Sequence, residues 1–141
     1  MKVLIDTNII LEILLNQEKS NESRKLLENS DNFTFFLSDF SLHSIGILLF
    51  RTKRHYSFYQ FLKDMIFSEI LSILSLSCED MNRVVEVSKR FDLDFDDAYQ
   101  YIVADKYSLT IISFDSDFDK TSLGRKTPKE LLEDLNLFVQ K

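Results

Sequence analysis

Cysteine, proline and glycine are nearly missing from this chain, which has one Cys, one Pro and two Gly among its 141 residues. The lone Cys78 makes no intrachain disulfide, and with only two His it leaves no zinc cluster of the usual Cys/His kind. So little Gly and Pro excludes linkers, low-complexity segments and a glycine-rich phosphate loop. Long hydrophobic runs are lacking too. The longest, IGILLF at 45–50, falls far short of the ~20 residues that cross a bilayer, and is expected in the core. At the amino terminus Asp6 cuts the first apolar run short, so no leader is expected and the reading is a cytoplasmic protein with no membrane anchor. Basic residues are in deficit, 17 against 23 acidic, for a net charge of −6, which argues against a general nucleic-acid coat. An acidic excess has a second meaning where several carboxylates converge on a divalent cation.

What is present is a globular composition, 45% hydrophobic and 28% charged. The length suits a single domain over residues 1–141. KVLI at 2–5 is apolar without polar alternation, as expected of a strand covered on both faces. Ile9, Ile10, Ile13 and Leu14 then repeat at helical spacing, and a second helix is expected over 20–28 with Leu26 and Leu27 inward. FTFFL at 33–37 reads as the next strand, followed by a helix capped by Ser38 or Asp39 and carrying Leu42, Ile45, Leu48 and Leu49. Further expectations are a helix over about 57–67, a strand in LSILSLS at 71–77, and a helix opened by a Ser77/Asp80 capping box and running through Arg90. A helix in FDDAYQYIVADKYSL precedes a strand in LTIISF at 109–114. Thr127, Pro128 and Glu130 open a last helix, and LNLFVQ reads as a possible edge strand. This alternation predicts an α/β fold, a three-layer α/β/α sandwich with a mostly parallel central sheet.

In such sheets the functional crevice lies beyond the carboxyl ends of the strands. Asp6 and Asp115 each directly follow a strand-like run, and Asp96 and Asp97 stand at the start of the helix before the Asp115 strand. One acid at a helix N-terminus is also an ordinary cap, and that reading stays open for Asp96 or Asp97 alone. Three or four carboxylates together repel one another unless a divalent cation sits among them, and Mg²⁺ or Mn²⁺ prefers oxygen ligands while keeping waters for chemistry. Such a centre suits phosphodiester hydrolysis.

VLIDTNIIL, LSDFSLHSIG, DFDDAYQYIVADKYSL and IISFDSDFD, in that order and spacing, resemble the PIN-domain ribonucleases, and most of all the VapC-like toxins of bacterial toxin–antitoxin modules. The resemblance covers nearly the whole chain and implies a PIN-like fold. It also implies a Mg²⁺- or Mn²⁺-dependent endoribonuclease acting on single-stranded regions of RNA, restrained by a cognate antitoxin and forming a homodimer. Carried over residue by residue, it makes Asp6, Asp97 and Asp115 catalytic metal ligands, with Asp117 a supporting ligand and Asn8 shaping the turn beside the metal. One departure stands out. The family's usual Glu, six residues beyond the Ser that opens the helix after the second strand, falls on Ser44 when counted from Ser38. A hydroxyl supplies no charge, so the alternative is a catalytically weakened or inactive PIN-like module that binds RNA or protein. Glu12 is a candidate to compensate, although a solvated helix face explains it as well.

His43 precedes position 44 and reads as structural or exposed rather than as a ligand. RTKRHYSFYQ sets Arg51, Lys53 and Arg54 beside aromatic residues, a mixture able to contact phosphates and stack on bases, or equally a solvated turn between helices. No Ser, His, Asp ordering suggests a nucleophilic triad.

Overall fold

The computed structural model describes residues 1–140, with side chains described through Asn136. Four strands, β1 (Lys2–Ile5), β2 (Thr34–Ser38), β3 (Leu71–Leu74) and β4 (Thr110–Ile112), form one parallel sheet in the order β3-β2-β1-β4. Among the described residues seven α-helices connect and follow them: α1 (Thr7–Leu14), α2 (Ser20–Glu28), α3 (Asp39–Arg51), α4 (His55–Phe61), α5 (Met81–Phe91), α6 (Phe95–Tyr107) and α7 (Pro128–Gln140).

Successive strand side chains point to opposite faces, and both faces of this sheet are covered. Val3 and Ile5 pack with Ile9, Ile10, Leu26, Ile45, Leu49 and Leu131, which places α1 to α4 and α7 in one layer. Leu4, between them, packs with Val84, Ala98, Ile102 and Ile111, which places α5 and α6 in the other. The α/β/α sandwich expected from the alternation is the one observed, with every strand pair parallel.

Local signals explain where helices begin. Ser38 Oγ accepts from the Ser41 N–H at 3.0 Å and caps α3. Thr127 and Glu130 bond each other's backbone N–H and open α7 on Pro128. Ser77 and Asp80 also bond reciprocally, but the box closes a turn and α5 starts only at Met81.

Some elements differ from expectation. β3 and β4 are shorter than their apolar runs. The helix expected over 57–67 begins at His55 and changes after Phe61 into a π-helical turn, Leu62–Ile66. LNLFVQ is no edge strand but the continuation of α7, which packs on α2 with Leu131 in the core and Leu135 partly buried against it. IGILLF is only half core: Ile45 and Leu49 are buried, while Ile47 and Phe50 are 50% and 53% exposed.

Candidate active site

Pairing of β1 with β4 brings the first and last strand ends together. The Asp6 N–H donates to the Ile112 carbonyl at 2.9 Å, so Asp6 leaves β1 beside the residue that ends β4. Its backbone is extended and its side chain accepts from the Thr7 N–H at 2.8 Å, which makes it the N-cap of α1. Beyond β4, Ser113 donates to Asp6 Oδ2 at 2.6 Å, and its oxygen accepts from the Asp115 N–H at 2.9 Å. Asn8 Nδ2 lies 3.2 Å from that hydroxyl and 3.4 Å from Asp6 Oδ2, while Asn8 Oδ1 accepts from the Phe114 N–H. Asn8 therefore shapes the turn by joining α1 to the segment after β4.

From the other layer, α6 carries Asp97 and Gln100 one turn apart, on one face. Every residue of α6 from Asp97 to Ala104 is buried, so these side chains stand on a helix fixed on all sides. Gln100 Nε2 donates to Asp6 Oδ1 at 3.0 Å and to Ser41 Oγ at 2.7 Å, and Thr7 Oγ1 donates to the same Ser41 Oγ at 2.8 Å. One buried polar network thus ties α1, α3 and α6 to the end of β4.

These elements wall a cleft of about 260 Å³ lined by Asp6, Asn8, Ser44, Asp96, Asp97, Gln100 and Asp115. Carboxylate oxygens of Asp97, Asp115 and Asp117 lie within 4.8 Å of one another. Asp6 stands outside that trio, in the floor, with both oxygens engaged by Ser113, Gln100, Thr7 and Asn8. Asp117 is exposed and its N–H donates to Asp115 Oδ1 at 2.9 Å, so the short 3₁₀ helix Ser116–Lys120 is capped by the cleft's own acid. Asp96 is exposed at the rim, and Ser44 lines the cleft with a hydroxyl in an otherwise acidic wall.

Burial and charge show in the proton affinities. Desolvation first, then the charges of Asp115, Asp96 and Asp6, pushes the Asp97 carboxyl up to about 8. Burial also raises Asp6, against the opposing pull of its hydrogen bonds from Ser113, Gln100 and Thr7. Crowded acids whose proton affinities are displaced in this way mark a candidate functional site.

Other sequence candidates lie elsewhere. Arg51, Lys53 and Arg54 are exposed at the far end of α3 and in the turn after it, about 10 Å or more of helix rise beyond Ser44. His43 lines an apolar groove between α3 and α4 instead of the cleft. Glu12 accepts from the Lys19 N–H and is committed to that turn. Sequence reasoning missed Gln100 and Ser113. The signal for Gln100 was its place one helical turn after Asp97, and for Ser113 a hydroxyl directly after the last core strand.

Residues 3–123 match the family model of the PIN domain. The chain belongs to the PIN-domain family. Its fold is similar to that of VapC20 from Mycobacterium tuberculosis, a sarcin–ricin loop cleaving toxin, with a TM-score of 0.72 at 17% identity over 86% of this chain and 95% of that one. It is also similar to FitAcB from Neisseria gonorrhoeae, TM-score 0.71 at 20% identity over 92% and 99% of the two chains. A toxin–antitoxin complex from Klebsiella pneumoniae contains a third such chain, TM-score 0.70 at 19% identity over 89% and 97%. No curated protein matches in sequence. In this PIN domain the cleft lies at the carboxyl ends of β1 and β4, where an open parallel sheet places its functional crevice.

Proposed function

We propose that this PIN-domain protein is a divalent-metal-dependent endoribonuclease cleaving single-stranded regions of RNA, and the toxin of a toxin–antitoxin module. The observation that carries this reading is the trio Asp97, Asp115 and Asp117, with oxygens within 4.8 Å of one another in a cleft that also holds Asp6. An all-oxygen donor set suits Mg²⁺ or Mn²⁺, and a cation bound there would displace the proton that burial and the neighbouring acids favour on Asp97. A cation held there would lower the pKa of a water and offset charge on the phosphoryl oxygens. Asp97, Asp115 and Asp117 would hold it. Asp6 adds a further carboxyl group in the floor, held in place by hydrogen bonds from Ser113 and Gln100. Asp96 adds charge at the rim. The proposed partners are RNA, a second copy of the chain and a cognate antitoxin, the last supported by structural neighbours that include a toxin–antitoxin complex.

The test is cleavage of a single-stranded RNA by purified protein. Expected are activity with Mn²⁺ or Mg²⁺, none with EDTA, and background rates for Asp97→Asn with an unchanged circular dichroism spectrum. Activity indifferent to EDTA, or a fully active Asp97→Asn, overturns the reading.

Ser44 favours a second reading, a catalytically weakened or inactive PIN-like module, because it puts a neutral hydroxyl in the cleft wall. Metal titration separates the two. An intact centre raises the melting temperature with Mn²⁺ by mass action, and a degenerate one leaves it unchanged.

A further inference from the structure

The geometry points to Gln100 as an oxygen ligand of the cation, its side-chain amide taking the part that a carboxylate at position 44 would play. The inference rests on the metal reading of the cleft and adds to it a residue of α6. Gln100 is 2% exposed and lines the cleft with Asp97, Ser44 and Asp115. The –NH₂ end of its amide is identified by its partners. It faces Asp6 Oδ1 at 3.0 Å, and a carbonyl oxygen set against that carboxylate would be repelled. Both Nε2 bonds are spent, on Asp6 and on Ser41.

The other end has nothing. Gln100 Oε1 is buried without a hydrogen-bond partner, and apart from Ser23 Oγ no other buried side-chain N or O among the described residues is in that state. Burying an unmatched carbonyl is costly, and proteins keep such a group where something else satisfies it. Water could do so anywhere. In a cleft lined by Asp6, Asp97 and Asp115, a hard cation is the partner that also relieves the repulsion of the acids.

Position and chemistry agree. Gln100 follows Asp97 by one turn of a wholly buried helix segment, so the two oxygens are presented by one rigid element. A neutral amide oxygen is a hard donor suited to Mg²⁺, Mn²⁺ or Ca²⁺. It supplies a ligand atom without adding a negative charge to a cleft that already holds several. The centre is thus a carboxylate–amide one, its donors drawn from α6 and the segment after β4 and not from α3.

The experiment uses the full chain, stripped of metal and titrated with MnCl₂, with free Mn²⁺ read by electron paramagnetic resonance and folding checked by circular dichroism. Gln100→Met keeps the length and loses both amide ends, and is expected to weaken Mn²⁺ binding by about tenfold or more. Gln100→Glu keeps an oxygen and loses the N–H, and is expected to bind Mn²⁺ at least as tightly as the parent. A Gln100→Met protein binding like the parent overturns the inference. So does Gln100→Glu weakening binding, since that is the result if Gln100 acts only by donating to Asp6. The glutamate arm decides alone if the methionine variant does not fold. A parent that binds no Mn²⁺ fails the metal reading itself, whereas a parent that binds while the variants contradict these expectations fails this inference alone.

Discussion

At the scale of single residues, Asp97 governs how the metal-free chain responds to pH. Its carboxyl titrates at about 8 when folded against an ordinary value of 3.8. Between those values the folded chain holds a proton that the unfolded chain has released, so stability is greatest at the acid end of the window and falls as pH rises through it. Asp6, raised by burial, acts in the same direction. Thermal melts of metal-free protein are expected to show a lower melting temperature at pH 8 than at pH 5, and Asp97→Asn to flatten the dependence. A parent whose melting temperature rises over that range contradicts it. Saturating Mn²⁺ is expected to invert the trend, because a cation bound in the cleft would compete with the proton for the same oxygens. Ser44 is the complementary case. Ser44→Glu places a further carboxylate in the cleft wall, so the variant is expected to melt below the parent without metal and to gain more from Mn²⁺ than the parent does. Equal metal response in both proteins would mean that a side chain at 44 does not reach the cation.

At the scale of elements, the cleft depends on how each helix is started. Ser38 caps α3 and also bonds the Ser41 hydroxyl that receives Thr7 and Gln100. Ser38→Ala is therefore expected to cost about 1 kcal/mol in denaturant unfolding, the usual worth of a cap, and in addition to weaken Mn²⁺ binding by loosening the network. A stability loss with unchanged metal affinity would separate the cap from the cleft. The unit of β1, Asp6 and α1 was legible in the sequence because an unbroken apolar run, a capping acid and a 3.6-residue period follow one another without ambiguity. Asp97 and Asp115 were legible for the same reason, as acids at the boundary of periodic segments. Gln100 was not, because a polar residue within a helix looks like surface until the sheet and neighbouring helices are in place. The end of α7 misled in another way. Alternating apolar residues after Asp134 fit a strand, but Leu131 and Leu135 also stand four apart, and packing on α2 decides for the helix. In IGILLF, a helix has one inward face, so the run could not all be core.

At the scale of the whole molecule, the layer that buries α1 to α4 leaves an apolar face of its own. Ile47 and Phe50 stand exposed on α3 and line a groove with Gly46, Phe58 and Leu62, away from the acidic cleft. Exposed apolar surface of this kind suits an interface, and the proposed homodimer is expected to use it. Light scattering is expected to give twice the mass of 16.6 kDa, and Phe50→Asp to give that mass itself with the fold intact. A parent that stays at the single-chain mass at high concentration removes the dimer from the proposal.

The bond from the Asp6 N–H to the Ile112 carbonyl has a bearing on biosynthesis. Asp6 leaves the ribosome well before its neighbours in the cleft, Ser113 and Asp115, which are made more than a hundred residues later. Strand β1 can find β2 early, but its other edge stays unpaired until β4 emerges, and closure across so long a loop is slow. A nascent or prematurely ended chain carries Asp6 and even Asp97 without the groups that set them against each other. If the protein is the toxin proposed here, harm begins only once the segment after β4 has been made, which leaves the time of that synthesis for an inhibitor made alongside to be folded and waiting.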